Sequence, residues 1–65
     1  MNHVEYILDF AASLGGRMLA VGANLERVND TMYRICRSYR LTSISIFFLS
    51  SIIIISAKSA EEPVL

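Results

Sequence analysis

Cysteine and histidine are the scarcest reactive residues of this sequence, with one copy of each, Cys36 and His3. One cysteine forms no internal disulfide, and one cysteine with one histidine cannot complete a tetrahedral zinc site. Neither has a predictable partner for nucleophilic or acid–base catalysis, and free cysteines are usually buried as small hydrophobic residues. We therefore predict no catalytic residue, no metal site, no cofactor and no enzyme activity, with Cys36 buried.

The sequence also has no excess of positive or negative charge, because six basic residues balance six acidic ones. Nucleic-acid-binding modules usually carry a clear basic surplus, so we expect no nucleic-acid partner. The segment 1–5 lacks the basic residues followed by an apolar core that a secretory signal requires. We accordingly expect the chain on the cytoplasmic side.

Apolar residues are abundant instead, at 54% of a chain of only 65 residues. A domain of this size buries only about 60% of its unfolded surface, so its stability is marginal without further support. The sequence therefore predicts a single partial domain, residues 1–65, which is completed by missing sequence or by self-association.

The first part of the chain has the periodicity of a helix over residues about 3–21. Asn2 and Glu5 have the spacing of a capping box. Gly15 and Gly16 interrupt the pattern and indicate either a close approach of another backbone or a kink. The apolar face recurs at spacings of three and four residues and consists of Val4, Ile7, Leu8, Ala11, Leu14, Met18 and Val21.

A second helix is predicted over residues about 25–39. Gly22 suits the end of the first helix, and Asn24 suits the cap of the second. Asp30 and Arg34 are spaced for an i,i+4 ion pair. The short connection favours an antiparallel helix hairpin. The apolar stripe of this helix is predicted to be Leu25, Val28, Met32, Ile35 and Tyr39.

Residues 41–57 contain no charge, and two structures compete for them. A transmembrane helix of this length spans about 25 Å of a hydrocarbon core of about 30 Å. The alternation and the many isoleucines favour a β-hairpin instead, with strands about 43–49 and 52–58 and a turn at Ser50-Ser51. The fold class is then α+β, an antiparallel helix hairpin followed by an apolar β-hairpin.

Both faces of this hairpin are apolar, although two helices cover only one of them. Ile44, Ile46 and Phe48 share one side of the first strand, and Phe47 and Leu49 share the other. The uncovered face therefore needs another partner. We also expect Ile54→Asp to lower the soluble yield, because a charge in a buried strand costs several kcal/mol.

The best polar cluster lies at the start of the second helix and consists of Glu26, Arg27, Asn29, Asp30 and Thr31. It is either a docking or gating surface or a substrate contact, or it is a solvated helix face that also holds the helix hairpin in register. Arg34, Arg37 and Arg40 follow it. They complement the helix dipole, or they touch anionic lipid if residues 41–57 span a membrane.

The stretch 22–31, Gly-Ala-Asn-Leu-Glu-Arg-Val-Asn-Asp-Thr, resembles the signature of the threonine/serine exporter family. In that signature a Gly-Ala pair precedes Arg-Val, an acidic or amide residue, and Asp-Thr. Residues 7–11 look like the family's opening helix, 34–39 like its second helix, and 43–57 like its strand pair. Ser50-Ser51 departs from the Pro or Gly that relatives carry in the turn.

The resemblance implies a bacterial inner-membrane exporter of amino acids, of which this chain is the amino-terminal cytoplasmic portion, truncated before the membrane spans. The chain would then have a structural or regulatory role and would not transport by itself. Its implied partners are the missing transmembrane portion or a partner membrane subunit. Two alternatives stay open: a small single-span membrane protein using residues 41–57, and a soluble module that dimerises through its hairpin.

Overall fold

The computed structural model describes residues 3–50 and 52–59, which form two helices followed by two strands. In chain order these are α1 (His3–Ala20), α2 (Leu25–Ser38), β1 (Leu41–Leu49) and β2 (Ile52–Ser59). The strands form one antiparallel hairpin. The predicted α+β class, a helix pair followed by an apolar β-hairpin, is confirmed. The cap at Asn2 and the second turn residue, Ser51, lie outside the described residues.

Helix α1 ends in the turn that Gly22 makes possible. The Gly22 backbone N–H donates to the Leu19 carbonyl at 3.0 Å, and the Ala23 N–H donates to the Met18 carbonyl at 3.0 Å. This bonding pattern is a Schellman motif, and Gly22 has the positive φ, 94°, that the motif requires. The turn directs Val21 into solvent, so its predicted place at the end of the helix and on the apolar face is wrong.

Helix α2 begins after Asn24, whose side chain accepts a hydrogen bond of 2.8 Å from the Arg27 N–H. The predicted cap is thus confirmed. The predicted apolar stripe is wrong at both ends, because Leu25 and Tyr39 are exposed, and the helix ends at Ser38 rather than at residue 39. The buried side chains of this helix recur every four residues instead, and they are Val28, Met32 and Cys36.

The two helices cross where Gly15 is buried. A Cβ atom on Gly15 would lie 2.5 Å from the Met32 Sδ and 3.3 Å from a Val28 methyl carbon. Gly16 has no such neighbour within 4 Å. The glycine pair indicated either a close approach of another backbone or a kink. Gly15 lies at a close approach between the two helices.

Strand β1 begins at Leu41, two residues earlier than the alternation predicted, because a β-bulge interrupts the pattern. Thr42 pairs with Lys58 and Ser45 pairs with Ser56, so two residues of β1 oppose one of β2. Ser43, within the bulge, has φ 52°. The extra residue puts Leu41, which is fully buried, on the helix-facing side of the hairpin. Strand β2 ends at Ser59 instead of residue 58.

The helix-facing side of the hairpin packs on a core formed by both helices and the first residue of β1. The buried core residues are Ile7, Ala11, Val28, Met32, Cys36 and Leu41. The hairpin side chains that pack against them are Ile44, Ile46, Phe48, Ile53, Ile55 and Ala57. The two helices therefore cover one face of the hairpin, as the alternation indicated.

Residues 41–49 and 52–57 lie in strands, so the helical span considered for this segment is wrong. In the described ranges 3–50 and 52–59, no helix combines the length and the apolar character that a bilayer crossing requires. The expectation that Ile54 is buried is also wrong for this chain, because its side chain is 46% exposed.

Candidate interaction surfaces

The polar cluster at the start of α2 forms an open depression on the protein surface. Its walls are Asn24, Glu26, Arg27, Asp30 and Thr31. The structure thus brings together four of the five residues that the sequence singled out. Asn29 does not line the depression, although it is exposed on the same helix.

Local interactions hold most of these side chains. The Thr31 hydroxyl donates to the Arg27 carbonyl at 2.9 Å, and the Asn24 side chain caps the helix. The Asp30 carboxylate and the Arg34 guanidinium form the predicted ion pair at 3.0 Å, and both side chains are well exposed. Such an i,i+4 pair contributes about 0.3–0.5 kcal/mol. These contacts stabilise the helix, and a docking or gating role for the cluster stays a prediction.

The two reactive residues of the sequence lie apart from this depression. Cys36 is buried in the core, and its burial raises the pKa of the thiol, which disfavours the reactive thiolate. The predicted role of Cys36 as a buried small hydrophobic residue is confirmed. The His3 ring packs edge-on against Tyr39, with 6.4 Å between the ring centroids. Across the described part of the chain, no three His, Cys, Asp or Glu residues are placed to hold a metal ion.

The side of the hairpin that faces away from the helices carries an exposed apolar surface. We call Phe47, Leu49, Ile52 and Ile54 the outer apolar face; each of these side chains is 46–60% exposed. Leu49 pairs with Ile52 and Phe47 pairs with Ile54 across the strands, so the four form one continuous patch near the turn. Ser45 and Ser56, paired further along the hairpin, are exposed and polar.

A large side chain of this kind has a surface of about 150–200 Å², so the outer apolar face exposes roughly 400 Å². Patches of this size on small proteins are often interaction sites. Alternation in the sequence predicted that Phe47 and Leu49 share a side, and the strand register adds Ile52 and Ile54 to it. Alternation alone did not show which side the helices take, because both sides carry isoleucine and phenylalanine.

The helix pair thus covers one side of the β-hairpin and leaves an apolar patch exposed on the other. The chain matches the model of the ThrE family, described as "Putative threonine/serine exporter", over residues 9–65. The match begins within α1 and includes α2 and both strands. The chain belongs to this family, which is a family of membrane transporters and not of enzymes. Neither the curated proteins nor the solved structures include a match to this chain.

Proposed function

We propose that this chain is the amino-terminal cytoplasmic portion of a bacterial threonine/serine exporter-like transporter of the inner membrane. In this proposal it has a structural or regulatory role, and the membrane spans that carry the solute belong to another part of the protein or to a partner subunit. The family match over residues 9–65 is the observation that carries the proposal. The match includes every described helix and strand, at least in part.

The outer apolar face is the surface by which this portion docks on the rest of the transporter. It carries no charge, so an apolar surface is its natural complement. If two copies met through this patch alone, they would bury about 800 Å², whereas stable interfaces usually bury at least about 1,200 Å². A part of the same polypeptide needs less contact area, because the covalent link removes most of the entropic cost of association.

The cluster of Glu26, Arg27, Asn29, Asp30 and Thr31 is the second contact in this proposal. Its charged side chains are exposed and of both signs, which suits a contact that forms and separates during gating. The exposed positions along α2 leave this surface accessible while the core side of the same helix stays packed.

An export assay tests the proposed role. Cells that lack their own threonine and serine exporters receive one of three proteins. These are this chain alone, this chain fused in front of the membrane portion of a family member, and that membrane portion alone. We expect efflux of labelled threonine only from the fused protein. Efflux from cells that hold only this chain would refute the assignment, and so would full efflux from the membrane portion alone.

The cytoplasmic location is tested by reporters fused before Met1 of the same complete protein. A fluorescent protein that folds in the cytoplasm is expected to be bright, and alkaline phosphatase, which folds in the periplasm, is expected to be inactive. The reverse pattern would place this portion on the other side of the membrane.

A further inference from the structure

A groove at the turn end of the hairpin is continuous with the outer apolar face. It lies where the hairpin turn meets the end of α1 and the start of α2, and its volume is about 380 Å³. We call it the turn groove. Its lining includes Gly16, Leu19 and Leu25 from the helix pair and Phe48, Ile52 and Ile53 from the hairpin. Ile52 also belongs to the outer apolar face, so one partner can contact both surfaces.

The turn groove carries no charge. Ser50 is the one polar side chain among its described lining residues. Ser51, the neighbour outside the described residues, is uncharged as well. The two glutamates of residues 60–65 follow the end of β2, which pairs with the start of β1 at the opposite end of the hairpin. An uncharged groove of this kind is complementary to an apolar partner.

Gly16 is the residue of the groove that the packing of this chain does not explain. Glycine inside a helix is unfavourable compared with alanine. At Gly15 the Met32 sulfur occupies the space that a Cβ atom would take, whereas a Cβ atom on Gly16 would meet nothing within 4 Å. Among the described residues, therefore, no contact requires glycine at position 16. In the groove, the missing Cβ atom lets the backbone of a partner approach closely.

The outer apolar face by itself is a small contact. Its roughly 400 Å² on each partner give about 800 Å² in total, less than the about 1,200 Å² of most stable interfaces. Leu25, which is 52% exposed, and the exposed parts of Leu19 and Gly16 add apolar surface on the adjoining side. A partner that fills the turn groove and also covers the outer apolar face therefore comes closer to the area of a stable interface.

We propose that the turn groove receives an apolar α-helix from the membrane portion of the transporter. The helix packs its backbone against Gly16 and extends over the outer apolar face. This inference rests on the proposed function and names the partner element of its docking surface. A helix fills such a groove with side chains spaced three and four residues apart, whereas an added strand binds along a sheet edge by backbone hydrogen bonds. Side chains from three elements line this groove, which favours the helix.

Cysteine labelling with a maleimide tests whether the turn groove is covered. It compares the isolated chain with this chain fused in front of a membrane portion without cysteines; Cys36 is buried in the folded chain. We expect Gly16→Cys to react at least about ten times more slowly in the fused protein, because a covered thiol is inaccessible. Ser13→Cys, exposed on α1 and outside the groove, is the control and should react equally in both proteins. Equal reaction of Gly16→Cys in both proteins would overturn the proposal.

Ile54→Cys separates this inference from the docking role of the outer apolar face. Protection of Ile54→Cys with unchanged labelling of Gly16→Cys would keep the docking role and refute the helix in the groove. Unchanged labelling of both would refute the two together. If Gly16→Cys becomes protected in the isolated chain as its concentration rises, a second copy occupies the groove, and the proposal is overturned as well.

Disulfide cross-linking identifies the partner element. Single cysteines along the cytoplasmic ends of the membrane portion are combined with Gly16→Cys, and an added oxidant joins thiols that lie close together. We expect the cross-linked positions to recur every three or four residues, as on one face of a helix. Recurrence at every second residue would indicate a strand and would overturn the proposal.

Gly16→Leu fills the groove with a side chain, and efflux measures the consequence. Because the space at position 16 is open, we expect the isolated variant to keep the circular dichroism spectrum of the native chain. In the fused protein we expect efflux to fall at least about tenfold, the effect of losing a central contact. Ser13→Leu adds a side chain of the same type outside the groove and should retain most of the efflux. Normal efflux in Gly16→Leu, or an equal loss in both variants, would overturn the proposal.

Discussion

Gly15 of α1 lies so close to Met32 of α2 that a Cβ atom at position 15 would come within 2.5 Å of the Met32 sulfur. Met32 is fully buried and Val28 lies beside it, so the sulfur has little room to move away. Gly15 thus fixes the distance between the helices, and this distance in turn positions both helices over the hairpin.

Gly15→Ala is therefore expected to destabilise the chain, although alanine is the better helix former. Overpacking lowers the free energy of unfolding by about 1–3 kcal/mol, and the higher helix propensity of alanine offsets about 1 kcal/mol of this loss. Gly16→Ala is the matched control. Its Cβ meets nothing within 4 Å, so we expect it to stabilise by up to about 1 kcal/mol. Urea unfolding followed by circular dichroism measures both, and equal stability of the two variants would contradict the close packing.

The cap of α2 gives a second prediction. Asn24→Ala removes the side-chain acceptor of the Arg27 N–H and is expected to cost about 1 kcal/mol of unfolding free energy. Asn24→Asp keeps the acceptor and is expected to stay near the native stability. Asn29→Ala, an exposed position inside the same helix, is the control and should change stability by no more than about 0.5 kcal/mol. A loss of stability in Asn29→Ala as large as that in Asn24→Ala would show that the cap is unimportant.

Local interactions of this kind were predictable because both partners lie within a few residues of each other. Gly22, Asn24 and the Asp30–Arg34 pair are examples, and the structure contains each as predicted. The helix ends were less predictable. Tyr39 continues the apolar spacing of α2, but the chain must turn there into β1, and the turn leaves the side chain exposed.

The β-bulge had no signal in the sequence. A serine at positive φ looks like any other serine, and the bulge reverses the alternation on which the prediction of β1 rested. Periodicity alone did not distinguish the two sides of the hairpin, because both carry isoleucine and phenylalanine. The signal that does distinguish them is Ser45 and Ser56, which lie on the exposed side.

Cys36 gives a prediction for alkaline pH. Burial raises the pKa of its thiol above the ordinary value of 9.0, so the folded state holds the proton more tightly than the unfolded state. This contribution to stability is fully present below the unfolded pKa and is lost as the pH rises through the folded pKa. Stability is thus expected to fall above about pH 9 by up to 1.4 kcal/mol per pH unit from this group.

The difference in stability between the native chain and Cys36→Ala isolates the thiol, because every other side chain is the same in both proteins. We expect this difference to shrink between pH 8.5 and 10.5, a range that begins about where an unperturbed thiol starts to ionise. A constant difference over this range would contradict the pKa shift. Ellman's reagent at pH 8 is expected to react with the folded chain only as fast as the core opens.

The last prediction compares two neighbouring isoleucines of β2 that face opposite sides of the hairpin. Ile55 packs on the core, and Ile54 belongs to the outer apolar face. Ile55→Asp puts a charge among buried side chains and is expected to unfold the isolated chain, because its cost of several kcal/mol matches the stability of so small a domain. Ile54→Asp is expected to leave the isolated chain folded, with more soluble protein, because its carboxylate stays in water.

In the complete transporter we expect Ile54→Asp to be harmful as well. Ile54→Asp would place its charge inside the proposed contact with the membrane portion, so we expect efflux to fall at least about tenfold although the isolated domain folds normally. Ser56→Asp, exposed on the same strand but outside the outer apolar face, is the control and should retain most of the efflux. Normal efflux in Ile54→Asp would show that this face is not the docking surface. Equal loss in both variants would attribute the effect to added charge on the hairpin instead of to the apolar contact.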